Sequence, residues 1–541
     1  MKYKKIMMLT VIALCLFAVS AVSAADNATG DIVSLEDSNQ AIEESNNEEI
    51  IAATDDGTFT ALQKKINNAA AGSTITLEND YKYDEGFSTD GILVTKDLTI
   101  NGNGYTINGL SKSRIFSLSY ENVKYGSSDN FKLTVYNVNF LNGYATGSGG
   151  AIKSVAGVVY GSNLLKSYWY SWDLDISNCV FRNNKATGSD GTGGAIDTRG
   201  KLTLKGSTFT NNEAKSSGGA VYSGTSKNYG NVECSNCIFT NNKVTGSGGG
   251  GALHIYGTAV LNGCSFNGNE APSYSGGAVY TSKPININTC SFTGNKAKDG
   301  GAVFTFSSTV NINDCTFKSN IASRNGGAVY SIQGQNIKNC EFVANQASAD
   351  GGAVHFNGKS TTTSSSSQST SIYTNMIESS NFKDNVAGDA GGAIYCVLNK
   401  MNGKTYGGFA EKCTFKNNKA KSNDNVYGTT TTNCVFQSSD ASAKNTKIPT
   451  KLIASKKTFK KSVKAKKYSV TLTTNKNIVI SNVWVSLKVN KKTFKAKTNS
   501  KGKATFKITN LKKKGTFKAA IKYKGNNKYN KVTKKVKIVV K

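Results

Sequence analysis

The chain has 541 residues with 54 Gly, only 3 Pro, and a formal net charge of +31. Scarce Pro beside abundant Gly, Asn, Tyr and Phe excludes a disordered low-complexity chain and favours sheet-rich repeats. The charge is localised: residues 441–541 hold 31 Lys, no Arg and no acid, while the remainder holds 35 basic and 35 acidic residues.

The first 24 residues, "MKYKKIMMLTVIALCLFAVSAVSA", place Lys2, Lys4 and Lys5 before an apolar run that ends at Val22-Ser23-Ala24. A basic start, an apolar stretch and small residues at a cut site predict a secretory leader. No later segment is apolar for long enough to suggest a membrane span. Residues 25–56 carry ten acids from Asp26 to Asp56 and no base, and read as an acidic disordered arm.

From residue 57 the sequence predicts a solenoid. "TFTALQKKINNAA" puts Phe59, Leu62, Ile66 and Ala70 on one helical face, suited to capping an open sheet edge. Alternating strand-like runs follow. Gly-Gly-Ala-aliphatic then occurs nine times, with second glycines at 150, 194, 219, 251, 277, 301, 327, 352 and 392. A partner motif places Phe three residues before Asn, as in Phe292/Asn295 and Phe317/Asn320; Phe140 and Phe436 are degenerate copies. In "GAVFTFSSTVNINDCTFKSN" (301–320) three short strands and no helix fit within the period. Short strands on identical neighbours describe a parallel β-helix, here expected to be right-handed and pectate-lyase-like, over 57–445. Inward Phe and aliphatic ladders bury the core, the Asn form an amide ladder, and the paired Gly occupy a tight corner.

Eight cysteines (179, 237, 264, 290, 315, 340, 413 and 434) lie two residues before a motif Phe, on the inward face. In-register stacking spaces them about 4.8 Å apart and in parallel, which disfavours disulfides. They are expected to be buried thiols packed as small apolar groups. Cys234 and Cys237 form a single Cys-x-x-Cys, so no zinc site, no other metal and no cofactor is expected.

Past Pro449 the repeat stops. Residues 450–541 contain strand-like runs such as "YSVTLTT" and "VWVSLKV", with "NSKG" (499–502) and "KGNN" (524–527) as hairpin turns. The expected fold there is an Ig-like β-sandwich, giving an all-β chain.

The Gly-Gly-Ala-aliphatic and Phe-x-x-Asn pairs resemble the repeats of chlamydial polymorphic membrane proteins. With the N-terminal cap and the lysine-rich tail, the mature chain resembles the adhesin-like surface proteins of methanogenic archaea. That resemblance implies a secreted, cell-surface, non-enzymatic scaffold whose partners are cell-wall or partner-cell glycans and surface proteins. The secretory leader argues against nucleic acid as the partner of the basic tail; charge retention on anionic wall polymers is expected instead.

His254 and His355 are the two histidines of the chain, and both follow Gly-Gly-Ala-aliphatic, where other copies have Tyr222, Tyr280, Phe304, Tyr330 and Tyr395. Alternation puts this position on the outer face, as a row of rings able to stack on sugars or on one another. The expected contact residues are Tyr222, His254, Tyr280, Tyr330 and His355, together with Tyr160, Tyr168, Trp169, Tyr170 and Trp172 of the ring-rich insertion at 156–172. Further insertions lie at 222–233, 357–377 and 397–411. Two alternatives stay open. One is a polysaccharide lyase or hydrolase using Asp197 and Arg199, with Asp173 and Asp175 near in sequence. The other is a structural wall component with no foreign ligand.

Overall fold

The computed structural model describes residues 55–120, 131–160, 167–225, 230–307, 309–357, 359–364, 367–372, 375–401, 404–437, 448–475, 477–526 and 529–541. The predicted leader at 1–24 and the acidic arm up to residue 54 lie outside them.

The chain enters through a helix, Phe59–Asn68, whose N-cap Thr58 accepts a hydrogen bond from the Ala61 amide at 3.1 Å. Phe59, Leu62 and Ile66 are buried as expected. Ala70 lies beyond the helix end and is exposed; Ala69 packs on the core instead. The cap also satisfies the first strand edge. Gln63 accepts from the Leu93 amide at 2.7 Å and donates to the Leu93 carbonyl at 2.9 Å. Those backbone groups face outward from a strand with no earlier neighbour.

Behind the cap the chain winds as a parallel β-helix. Among the described residues its first sheet has thirteen strands, from Thr74–Thr76 to Thr429–Thr432, and its second has thirteen, from Tyr81–Lys82 to Val435–Phe436. A third has nine, from Tyr144–Ala145 to Val386–Ala387, and a fourth has twelve, from Ile92–Val94 to Val426–Tyr427. A typical coil runs Val310–Asn313, Thr316–Lys318, Ile321–Ala322, Val329–Ser331. The coil therefore has four strands where the sequence suggests three. The extra strand is two residues long, too short for alternation to reveal it.

Pairing between coils is in register, so like residues stack. The rings from Phe140 to Phe436 form one column with centroids 4.6–5.1 Å apart, so both degenerate copies belong to it. Beside it, Asn295 donates through both its backbone amide (3.0 Å) and Nδ2 (2.9 Å) to Oδ1 of Asn320, and through Nδ2 to the Phe266 carbonyl (3.0 Å). The same triple bond pattern recurs from Asn184 to Asn385, with each of these side chains buried. Each buried amide is thus paired, which is the condition for tolerating it in a core.

The corner between the third and fourth sheets is the Gly-Gly step. Gly300 has φ +59°, and a Cβ on Gly301 would lie 2.1 Å from the Gly327 carbonyl oxygen of the next coil. The first glycine is needed for its backbone conformation and the second for close approach.

The ladder cysteines are buried, free thiols as expected. They are not merely apolar filler, however. The Cys264 amide donates to Sγ of Cys290 at 3.3 Å, and that thiol reaches the Asn288 carbonyl at 3.2 Å. Ser207 and Ser380 occupy the same step of the ladder and bond in the same way.

The C-terminal unit forms a three-stranded sheet (Thr450–Ile453, Lys466–Thr474, Lys503–Ile508) and a five-stranded sheet (Lys457–Phe459, Val532–Val540, Gly515–Tyr523, Trp484–Val489, Lys492–Lys497). One apolar cluster with Leu472, Leu487, Phe506 and Ile521 fills its interior. The expected hairpin at 499–502 instead crosses between the edge strands of the two sheets. The tight hairpin of the five-stranded sheet is at Asn490 and Lys491, both at positive φ, between Trp484–Val489 and Lys492–Lys497.

Candidate functional site

The outward position of the fourth sheet carries a second column of rings. Parallel register aligns Tyr222, His254, Tyr280, Phe304, Tyr330, His355, Tyr395 and Tyr427. Their centroids are 4.5–5.3 Å apart and every neighbouring pair is stacked. His254 and His355 are four steps apart in this column, which rules out a direct catalytic pair.

The rings are less available than their outward direction implies. His254, Tyr280, Tyr330 and His355 are buried, and Tyr222 is half-buried. Each ring covers the face of the next. The segment leading into the Gly-Gly corner also lies against the row: the Gly249 carbonyl sits 3.1 Å from Nδ1 of His254. Burial lowers the His254 pKa to about 4 and the His355 pKa to about 3, the latter helped by the Arg324 charge. The faces of these rings therefore cannot stack on a sugar, which corrects that part of the expectation. Trp172 is a second correction. It is fully buried at the start of the strand Trp172–Ser177, packed on Phe131 and Tyr120.

Asp197 belongs to the same column, one step before Tyr222 and one after Lys153. It is fully buried, accepts a short hydrogen bond from the Thr192 hydroxyl, and lies 3.0 Å from the Arg199 guanidinium, which also sits over the Tyr222 ring. Burial raises its pKa to about 6 against the pull of Arg199. Asp173 and Asp175 are on the first sheet, where Asp173 accepts from the Lys201 amide and Asp175 pairs with Lys132. The structure does not bring these carboxylates together.

What remains open to solvent is a groove of about 200 Å³ beside the middle of the ring column, lined by Tyr274, Lys298, Asp299, Phe306, Arg324 and Tyr330 among others. Tyr274 and Phe306 are 41% and 37% exposed, unlike the stacked rings they flank. Phe306 meets Phe304 edge-on at 5.2 Å, and Tyr274 lies 5.9 Å from Tyr280. Asp299 is buried, and both of its oxygens engage Arg324, with Nε donating to Oδ1 at 2.8 Å. That pairing raises the Arg324 pKa and fixes its guanidinium at the groove wall. Of this lining, sequence reasoning named Tyr330 and missed Tyr274, Lys298, Asp299, Phe306 and Arg324, which fall outside both repeat motifs. The available signals were the rarity of Arg and the second Phe of "FTF" at 304–306.

All four sequence insertions leave the coil at one corner, between the fourth and first sheets. Three contain antiparallel hairpins: Gly157–Tyr160 with Ser167–Tyr170, Lys359–Ser364 with Ser367–Ile372, and Asn399–Met401 with Lys404–Tyr406. Tyr160, Tyr168, Trp169 and Tyr170 are strand residues of the first hairpin, where the backbone register is described and the side chains lie outside the description. The cysteine and Asn ladders hold two of the other corners, whereas the approach to the Gly-Gly step varies from three residues between Ala322 and Gly326 to six between Ala186 and Gly193.

Among the described residues no group of three or more His, Cys, Asp or Glu is placed to hold a metal ion, and no helix is long and apolar enough to cross a membrane.

Comparison with known proteins identifies a right-handed β-helix region at residues 232–369 and the repeat of Chlamydia polymorphic membrane proteins at 206–224 and 379–397. No curated protein matches the chain. Among solved structures, the catalytic unit of a GH87 alpha-1,3-glucanase from Streptomyces thermodiastaticus is 14% identical with a TM-score of 0.36. The match covers 68% of this chain and spans 66% of that one. PfbA, a surface adhesin of Streptococcus pneumoniae, is 12% identical over 70% of this chain and 87% of its own, with a TM-score of 0.27. The tailspike of E. coli bacteriophage HK620, solved with a pentasaccharide, is 11% identical over 88% of each chain, with a TM-score of 0.25. At these values none of the three carries a functional argument.

Proposed function

We propose that this chain is a secreted, non-enzymatic surface protein that binds glycans on the outer face of the fourth sheet of its β-helix. In this reading the C-terminal unit is an Ig-like domain that holds the protein at an anionic wall by charge. The observation that carries the reading is the groove at Tyr274, Lys298, Arg324 and Phe306, which crosses the outer face of the fourth sheet from the Gly-Gly approach to Phe306. Exposed rings supply apolar faces for sugar C–H groups, and a fixed guanidinium supplies directed donors. Glycan hydrolysis needs two carboxylates flanking one bond. Here Asp299 is committed to Arg324, and Asp197 is fully buried at the step before Tyr222 and paired with Arg199.

The test is binding of the full chain to a glycan array, repeated with a Tyr274→Ala/Phe306→Ala variant. The expected result is selective glycan binding that the variant weakens by about tenfold, as for loss of two contact rings. Unchanged binding by the variant would remove the groove from the reading.

One observation favours a second reading, a polysaccharide lyase or hydrolase. Asp197, with its pKa raised to about 6 beside Arg199, has the protonation behaviour of a general acid. Release of new reducing or unsaturated ends from acidic polysaccharides, abolished in Asp197→Asn, would establish it.

A further inference from the structure

The C-terminal unit holds a second concave surface that neither sequence motif marks. Lys492–Lys497 is an edge strand of the five-stranded sheet, and Lys503–Ile508 is an edge strand of the three-stranded one. The turn between them is closed by the Gly502 amide donating to the Asn499 carbonyl at 2.9 Å, and Asn499 Oδ1 accepts from the Lys501 and Lys503 amides. Beyond this turn the two strands separate into different sheets, and a cleft of about 530 Å³ opens between them. Its walls are Phe494, Lys495, Ala496, Lys497, Lys503 and Lys507, with Asn499 and Thr505.

Four lysines thus face one concavity from two strands, and all four are exposed. No carboxylate exists anywhere from Ala441 to the C-terminus to neutralise them. Charge of one sign in a concavity with low-dielectric walls focuses the potential there above that of a flat face. Lys495 and Lys497 are two residues apart on an extended strand, about 6.7 Å, so the cations are spaced along a line. The cleft is not purely ionic. Phe494 is half-buried in its wall, and Thr505 and Asn499 add polar groups at its rim. A linear chain with repeating negative charge, ring faces and hydroxyls matches this lining. A phosphate-specific site would favour the bidentate fork of Arg, and the unit has none.

We propose that the cleft between Lys492–Lys497 and Lys503–Ile508 is a binding site for a carboxylated polysaccharide. This rests on the charge-anchoring part of the proposed function and assigns it to specific residues. The negative chain lies along the two strand edges with its carboxylates at Lys495, Lys497, Lys503 and Lys507.

The experiment measures binding of the full-length protein to immobilised polygalacturonate across a salt series from about 20 to about 500 mM, where the screening length falls severalfold. Neutral dextran and polyphosphate serve as comparison surfaces. Two variants remove equal charge: Lys495→Gln/Lys497→Gln/Lys503→Gln/Lys507→Gln in the cleft, and Lys512→Gln/Lys513→Gln/Lys514→Gln/Lys518→Gln outside it. The expected result is polygalacturonate binding that weakens with salt, falls by about tenfold or more in the cleft variant and by about twofold in the other. Equal losses in the two variants would overturn the cleft while leaving charge anchoring intact. Absence of wild-type binding to either polyanion at low salt would overturn both. Binding to polyphosphate in preference to polygalacturonate would overturn the ligand class.

Discussion

The β-helix and the C-terminal unit use charge and polarity in opposite ways. In the helix, polar side chains go inward and pair with their own kind: nine Asn from 184 to 418 are buried in a bonded ladder. In the C-terminal unit the interior is almost wholly apolar; Lys466 is buried, its Nζ donating to the Val463 carbonyl at 2.6 Å, and the other described lysines reach water with no acid to meet them. The difference sets where each region can change. A coil shares every inward position with two neighbours, so its tolerant sites are the two turns that flank the fourth sheet. A sandwich strand shares only its inner face, so alternate residues are free to build a charged surface. In the reading proposed above, specificity in the first region belongs to the groove across the fourth sheet and to the insertions, and in the second to the spacing of cations.

The sharpest way to break this comparison is one substitution in each region. A Cβ at Gly301 meets the Gly327 carbonyl oxygen at 2.1 Å and Ile321 backbone atoms at 2.7 Å, none of which is a movable side-chain end. Gly301→Ala is expected to destabilise the helix by more than about 3 kcal/mol, through separation of adjacent coils. Exposed Lys518→Met in the C-terminal unit is expected to stay within about 0.5 kcal/mol. Chemical denaturation followed by circular dichroism measures both. A tolerated Gly301→Ala would mean that the coils slide freely, against the shared-position argument.

Acid response separates the regions next. The folded pKa values of His254 and His355, about 4 and about 3, lie below the ordinary value near 6.5 because burial disfavours the charged ring. Between those values the unfolded chain binds more protons, so stability rises with pH. The contribution is fully present above about pH 6.5 and is lost as pH falls toward 4 and then 3. Asp197 acts in the opposite direction. Its folded pKa of about 6 lies above the ordinary 3.8, so lowering the pH through 6 relieves a buried charge. With two histidines against one aspartate, the expected net result is a Tm that falls between pH 6.5 and 4. His254→Tyr/His355→Tyr, which copies the residues at neighbouring steps of the column, is expected to flatten that fall. The C-terminal unit has no histidine and no acid, and its own melting is expected to be level over the same range. Identical pH profiles for the wild type and the double variant would contradict the assignment.

The sequence made the ladders legible because each motif residue recurs at one position of the coil, and stacking in register converts recurrence into contact. Phe317 lies on Phe342 and Asn320 bonds Asn345 as the motifs imply. Coverage was not legible. Alternation gives the direction of Tyr280 but not what lies over it, and the approach to the Gly-Gly corner comes from the sequence on the other side of the turn. The groove was hidden for the same reason: Tyr274, Asp299 with Phe306, and Arg324 come from three successive coils and meet only after winding. Trp172 misled because an aromatic run crosses the boundary between the hairpin and the strand Trp172–Ser177, and only pairing with Phe131–Tyr136 separates them. In the tail, "NSKG" has the chemistry of a hairpin turn, but the strands it joins belong to two sheets, which no local signal specifies.

The smallest expected effect concerns the cysteines, and the ladder itself contains the control. Ser207 accepts from the Cys179 amide at 3.1 Å and donates to the Lys205 carbonyl at 3.0 Å. Ser380 accepts from the Cys340 amide at 3.0 Å and donates to the Glu378 carbonyl at 2.9 Å. Cys290 makes the equivalent pair with the Cys264 amide and the Asn288 carbonyl. A position that accepts either residue needs a small acceptor and donor more than it needs sulfur. Cys290→Ser is therefore expected to change stability by about 1 kcal/mol or less, whereas Cys290→Ala leaves a buried amide without its acceptor and costs about 1–3 kcal/mol. Denaturation midpoints of the two variants decide it. If Ser proves the more damaging substitution, the thiols act by apolar packing alone, and the ladder of cysteines differs in kind from the ladder of asparagines beside it.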